Sequence, residues 1–597
     1  MVEPAELSCR LATRKACDSI PHKSRVFTVA VFRLVRTFLE TNRNAKIANI
    51  HKSPASENPA TKGRRDFLRS GLATGIGGTF ALCIRHETDV PSSPPSSELD
   101  EITITEIHAG IKSGRFSARW LVEKYLDRIE SIDKHGPAIN SVIELNPDAF
   151  QIADALDSEL KDKGPRGPLH GIPILVKDNV DTADRMMTTA GSLALVGARP
   201  VKDAFLVQRL RQSGAIILGK TNPSEWANIR SSHSTSGWSG RGGLTRNPYS
   251  LDRNPCGSSS GSGAAVSANL CAGAVGTETD GSIVCPSSAN GIVGIKPTVG
   301  LVSRSGVIPI SHTQDTAGPM CRSVRDAAIL LTALAGPDSE DSMTTFSASH
   351  ISSDYSRFCD PHGLQGARIG VVRNLFGFSD MVDALTDQAL EVMKKQGATL
   401  VDPAKIDSIT KIGENELTVL LYELKADLNA YLARIGPGAA VHTLGDVIEF
   451  NDHHREKEMP YFGQDMFLKA QTKGPLTEKE YLNALEKSRQ LAAKEGIDAV
   501  IDQFNLDAFV APTAGPAWIT DLVNGDNSVG GSATAAAVAG YPHITLPAGF
   551  IFGLPVGLSF FGRAWSEPTL IKIAYAFEQA TKTRRPPRFL PITDLKT

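Results

Sequence analysis

The chain has 597 residues, 41% of them apolar, with 52 glycines, and its charged residues, 21% of the total, nearly cancel to a net charge of −2. That supplies material for a large core, is too balanced for a disordered polyelectrolyte, and is too neutral for nucleic acid as the main partner. No charge-free apolar run approaches the roughly 20 residues that cross a bilayer, so an integral membrane span is excluded.

The charge is unevenly spread. Residues 1–70 carry 14 Lys/Arg against 6 Asp/Glu, whereas the rest carries 49 against 59. Residues 1–62 read as a basic, disordered N-terminal extension, within which Val26 to Leu39 has the pattern of a basic amphipathic helix, as in an organelle presequence or a surface helix. In residues 63–85, Gly63-Arg64-Arg65-Asp66-Phe67-Leu68-Arg69 precedes an uncharged run from Gly71 to Ile84 closed by Arg85. That segment resembles a twin-arginine export signal, although Gly63 and Arg69 depart from the usual pattern and no A-x-A cleavage site follows. The expectation is an exported protein, periplasmic or secreted; without export it would be cytoplasmic or organellar. Residues 86–100 are Pro/Ser-rich and read as a linker, leaving 101–595 as the folded domain.

The domain opens with helices. Ile107, Ile111, Trp120, Leu121, Tyr125, Leu126 and Ile129 recur at helical spacing, and Ala149 to Leu160 continues the pattern. Short apolar runs bounded by Gly and Pro follow: Ile172 to Val176, Ala215 to Leu218, Ile292 to Ile295, Ala508 to Ala511, Ile544 to Leu546 and Val556 to Phe560. Helical stretches lie between or beyond them, at Phe205 to Gln212, Arg325 to Ala335 and Leu570 to Ala580. Such alternation indicates an α/β fold, a large mixed central β-sheet covered by helices on both faces. Residues 340–490 are more polar and include the helical Glu416 to Arg434, so they read as a helical insertion packed on the sheet edge.

Several motifs lead elsewhere. Gly214 to Thr221 matches the P-loop pattern GxxxxGK[ST], but Ala215 to Leu218 form a strand core and cannot curl around a phosphate. His453 and His454 are adjacent and point apart, no HxxxH occurs, and a metal site is not expected. His170, His233, His312 and His543 are candidates for activating a serine, with a structural role as the alternative. Cys256, Cys271, Cys285, Cys321 and Cys359 are an odd number without a CxxC pair; an exported protein has room for disulfides among them, yet a chain this long does not need them.

Two glycine-rich segments carry more. Cys256-Gly-Ser258-Ser259-Ser260-Gly-Ser262 runs into Ala264 to Ala274, which reads as a tightly packed buried helix, so the segment is a bent loop at a helix N-terminus that presents free N–H groups. Further on, Gly276-Thr-Glu-Thr279-Asp280-Gly281-Ser282 places a serine behind a glycine, a candidate nucleophile.

Together with Gly167-Pro-Leu-His-Gly-Ile-Pro-Ile-Leu-Val-Lys177-Asp-Asn179 and Gly294-Ile-Lys-Pro-Thr298, these segments resemble the amidase signature family in order and spacing over roughly residues 100 to 590. The wording TETDGSIVCP, KPTVGLVSR, QDTAGPM and YFGQ looks most like its peptide amidase branch. The resemblance implies a Ser-cisSer-Lys triad: Ser282 as nucleophile, Ser258 as the bridging serine after a cis peptide, and Lys177 as base. It also implies an oxyanion hole of backbone N–H groups at Thr279, Asp280, Gly281 and Ser282. No cofactor or metal enters.

Chemistry sets a condition on this scheme. A lysine takes a proton only when neutral, so Lys177 must lie about 3 units below its ordinary pKa, which burial at the end of the Ile172 to Val176 strand can supply. Asp178, on the opposite face of that strand, need not hold it charged. Asp280 stands where many members of the family have Gly, Val284 where many have Arg, and Cys256 and Ser260 also replace frequent glycines, which bears on substrate preference. The implied activity is hydrolysis of carboxamides, small molecules or peptide C-terminal amides, to acid plus ammonia, by a monomer or homodimer. The alternatives are the glutaminase subunit of a tRNA-dependent amidotransferase and a catalytically silent binding protein on the same fold.

Overall fold

The computed structural model describes residues 97–435 and 438–595. The N-terminal extension, the export-like segment and nearly all of the linker lie outside the described residues. The expected helical lead divides into Ile104–Lys112 and Ala118–Arg128. Gly114, at φ +76°, turns the chain between them, and Ser117 caps the second helix by accepting from the Trp120 N–H at 3.1 Å. Thr103 and Glu106 close a capping box on the first.

Thirteen strands follow among the described residues. They are β1 (Val142–Leu145), β2 (Pro173–Lys177), β3 (Ile216–Thr221), β4 (Trp238–Ser239), β5 (Gly243–Leu244), β6 (Gly273–Glu278), β7 (Val293–Lys296), β8 (Thr316–Cys321), β9 (Arg368–Val371), β10 (Thr399–Val401), β11 (Ala508–Pro512), β12 (His543–Ile551) and β13 (Leu554–Phe561). Eleven form one sheet in the order β1-β3-β2-β6-β8-β7-β12-β13-β11-β9-β10, while β4 and β5 make a separate ribbon. β2 runs parallel to both β3 and β6, and β6 antiparallel to β8, so the sheet is mixed. All five residues of β2 and all six of β6 are buried, as expected of strands in the middle of a covered sheet.

Two expectations fail here. The buried helix read over Ala264 to Ala274 is Ser260–Ser267, and Gly273 onward is β6. Its glycines, alanines and serines carry no hydrophobic period, and β6 is buried on both faces and shows no alternation. Residues 340–490 are not wholly helical: β9 and β10 extend the sheet at its edge. With four and three residues, they are too short to leave a pattern.

The Ser260–Ser267 helix lies against the sheet at the closeness its composition permits. A Cβ added to Gly261 would sit 2.2 Å from the Ser141 carbonyl oxygen and 2.6 Å from the Asn222 nitrogen. Elsewhere the core is large and aromatic in places. Phe560, fully buried in β13, meets Phe577 edge-on at 6.2 Å. Phe560→Ala is expected to destabilise the protein by about 3–5 kcal/mol in urea unfolding, with activity retained in the folded fraction.

Candidate active site

β2 ends at Lys177, which is 0% exposed. Its Nζ lies 2.8 Å from Ser258 Oγ and 2.8 Å from Thr277 Oγ1, with the Thr277 carbonyl at 3.4 Å. Asn179, on the same face two residues on, donates to Thr277 Oγ1 at 3.0 Å. Burial pulls the amine down to about 7, opposed by the carboxylates of Asp315 and Glu278. Asp178 faces away, accepting from Thr189 Oγ1 and from the Gly191 N–H at 3.2 Å, with Arg241 Nη1 at 3.4 Å. The strand alternation thus keeps the adjacent carboxylate off Lys177.

The Gly257–Ser258 peptide is cis and Ser258 is fully buried. The next residue ties this loop to its counterpart: the Ser259 N–H donates to the Ser282 carbonyl at 3.1 Å, and Ser259 Oγ donates to the Thr277 carbonyl at 3.0 Å. Ser282 itself is half-buried. No hydrogen bond joins its Oγ to Ser258, so the described contacts run from Lys177 to Ser258 and stop there.

The turn before Ser282 is built to leave donors free. Gly281 adopts φ +79°, and the N–H groups of Thr279, Asp280, Gly281 and Ser282 donate to no protein acceptor among the described residues. The next two N–H groups, of Ile283 and Val284, are both claimed by Glu278 Oε2, at 2.7 and 3.0 Å. That carboxylate anchors the start of the Val284–Ala289 helix and so fixes where the free donors begin. Thr279 Oγ1 donates to Asp315 at 2.6 Å, and Asp315 also accepts the N–H groups of Ile310 and Ser311 at 2.8 and 2.9 Å.

A disulfide joins Cys256 and Cys285, with their Cα atoms 6.0 Å apart. One half lies two residues before Ser258 and the other three residues after Ser282. Sequence reasoning missed this pairing, and likewise Thr277, Ser259, Glu278 and Asp315. Of these only Thr277 left a signal, through its two-residue spacing from Thr279 at the end of β6.

The four candidate histidines make other contacts. His170 Nε2 lies 3.1 Å from the Leu156 carbonyl, and His543 Nε2 lies 2.6 Å from Ser559 Oγ. The His233 N–H donates to Ser231 Oγ at 3.2 Å. His312 stands in a group with Glu423 and Asp427, but its Nδ1 is paired with Asp427 at 2.9 Å, and Glu423 is engaged by Ser311, Thr313 and Tyr481. The P-loop-like Lys220 is a buried strand residue that donates to the Val180 carbonyl and to Thr188 Oγ1 at 2.7 and 2.8 Å.

A neutral-capable lysine behind a serine, with a second serine beside unclaimed backbone donors, is the constellation of a serine hydrolase that works without histidine. The amidase family model matches residues 120–571, and the chain belongs to that family, the amidase signature enzymes. A crystal structure of the peptide amidase from Stenotrophomonas maltophilia is 50% identical, with a TM-score of 0.79 over 82% of this chain and 99% of that one. A probable amidase of Arabidopsis thaliana is 43% identical over 501 residues, 82% of this chain and 92% of that protein. A glutamyl-tRNA(Gln) amidotransferase chain of Halorhodospira halophila is 34% identical over 80% of this chain and 97% of that one. The protein is an amide-hydrolysing enzyme.

Proposed function

We propose that the enzyme releases ammonia from the C-terminal carboxamide of peptides through an acyl-enzyme on Ser282. The observation that carries the chemistry is the fully buried Lys177 with Nζ 2.8 Å from Ser258 Oγ. As the neutral amine, Lys177 accepts the Ser258 proton while Ser258 Oγ accepts that of Ser282, whose oxygen attacks the amide carbon. The oxyanion then receives the free N–H groups of Thr279 to Ser282. The proton returns through Ser258 to the departing nitrogen, which leaves as ammonia, and water activated by the same relay hydrolyses the ester. The peptide preference is supported by the 50% identity to a peptide amidase. The amidotransferase reading has weaker support, from relatives that are 34% and 32% identical.

Ammonia release from a C-terminally amidated dipeptide, compared with propionamide and glutamine, tests the substrate class. The amidated peptide is expected to have at least a tenfold higher kcat/KM; hydrolysis of glutamine with none of the peptide amide would overturn it. We propose export as well, supported by the pattern of residues 63–85 and by a disulfide among the described residues, a bond that persists in oxidising compartments.

A further inference from the structure

Thr279 is the first of the four residues with free N–H groups, and the two residues that lead into β8 hold it. β6 and β8 pair antiparallel up to Glu278 opposite Thr316, so Asp315 faces Thr279 at the next position of that register, where opposed side chains share a face. Asp315, 8% exposed, accepts from Thr279 Oγ1 at 2.6 Å through Oδ1, while its Oδ2 is fixed by the N–H groups of Ile310 and Ser311 at 2.8 and 2.9 Å. Gln314 Nε2 donates to the Thr279 carbonyl at 3.4 Å and to Glu416 Oε1 at 3.0 Å. The hydroxyl and the carbonyl of Thr279 are therefore both taken, and its N–H is not. In a trans peptide the C=O and the following N–H point in opposite directions, so a Thr279 carbonyl turned to Gln314 turns the Asp280 N–H away from it.

The loop before β8 is itself held from outside the sheet. Ser311 Oγ and Thr313 Oγ1 both donate to Glu423 Oε2, the second at 2.9 Å, and the His312 N–H donates to Asp427 Oδ2 at 2.9 Å. Glu416, Glu423 and Asp427 belong to the Gly413–Leu432 helix, at spacings that put them on one face. Residues 311–314 thus form a strap from that helix to the oxyanion turn, and Asp315 stands at its end. We propose that Asp315 is a positioning residue of the reaction: by holding the Thr279 hydroxyl it aims the backbone donors of the oxyanion turn. The inference rests on the proposed role of Ser282 and its turn. Thr279→Val keeps the shape of the side chain and every bond that Asp315 makes within its own loop, and removes only this contact.

The experiment measures kcat and KM with an N-acylated amino acid amide, and inhibition by the matching aldehyde and alcohol, for wild type, T279V, T279S and T279V/D315N. The aldehyde adds to Ser282 Oγ and places its oxygen on the turn's donors, whereas the alcohol forms no adduct. Rates are taken well above pH 7, because loss of the Asp315 charge, which holds the Lys177 amine up, would by itself move the rise in kcat to lower pH. T279V should lower kcat at least tenfold with KM within twofold, and weaken the aldehyde at least tenfold with the alcohol within twofold. T279S, which restores the hydroxyl, should recover most of both losses. Adding D315N to T279V should cost less than a further twofold, since the contact is already gone. Equal weakening of aldehyde and alcohol, as general loosening of the fold would give, overturns the proposal, and so does a tenfold further loss in the double variant. Should T279V not fold, T279V/D315N, which has no buried charge left short of a donor, carries the same comparison with wild type. A T279V enzyme that behaves as wild type while turnover still requires Ser282 removes this inference alone; turnover independent of Ser282 removes the reading beneath it.

Discussion

Ser282→Ala is expected to lower kcat by about 10^4- to 10^6-fold while leaving the fold intact, because it deletes the atom on which the acyl group would be carried. Ser282 is half-buried and its Oγ holds no bond to Ser258, so the change in stability should stay within about 0.5 kcal/mol of wild type. Its structural link is the carbonyl that accepts from Ser259, which alanine keeps. The check is ammonia release paired with a thermal melt. An unaltered rate would end the assignment of Ser282. Combining Ser282→Ala with Lys177→Met should add little, since residues of one relay fail together.

Lys177→Met alone is expected to reduce kcat by about 10^4-fold, the upper part of the range for a general base, and to change stability in a pH-dependent way. In the folded protein the amine sits at about 7, against 10.5 ordinarily. Between those values the unfolded chain binds the proton and the folded one does not. Wild-type stability therefore falls as pH drops from about 10.5 towards 7, by on the order of 5 kcal/mol, and is flat with respect to this group below 7. Methionine is one atom shorter and carries no charge, so that slope should be absent from the variant's stability profile. A wild-type kcat that is flat between pH 6 and 8 would contradict a base titrating there.

Much of the site was legible because its chemistry is carried by short, ordered motifs. Lys177 follows an unbroken apolar strand, which is why its burial and its lowered pKa could be expected from the residues alone. Ser282 stood out by its place behind a glycine, whereas the role of Ser258 was implied only by the resemblance to the amidase signature family. Residues whose role depends on distant chain could not be read. Glu416 reaches Gln314 from a helix more than a hundred residues away in the chain, and Glu278 gave no sign that it would claim the N–H groups of Ile283 and Val284. In the fold, β6 and β8 were invisible for a related reason. Strands covered on both faces, made of Gly, Ala, Thr and Pro, have neither alternation nor strong β-branched content.

The bridge between Cys256 and Cys285 has a practical consequence. Recombinant material recovered from a reducing cytosol carries two thiols flanking the serine loops in its place, while material from an oxidising host carries the crosslink. Rates from the two kinds of preparation describe different covalent species, and a thiol titration belongs beside every kinetic comparison.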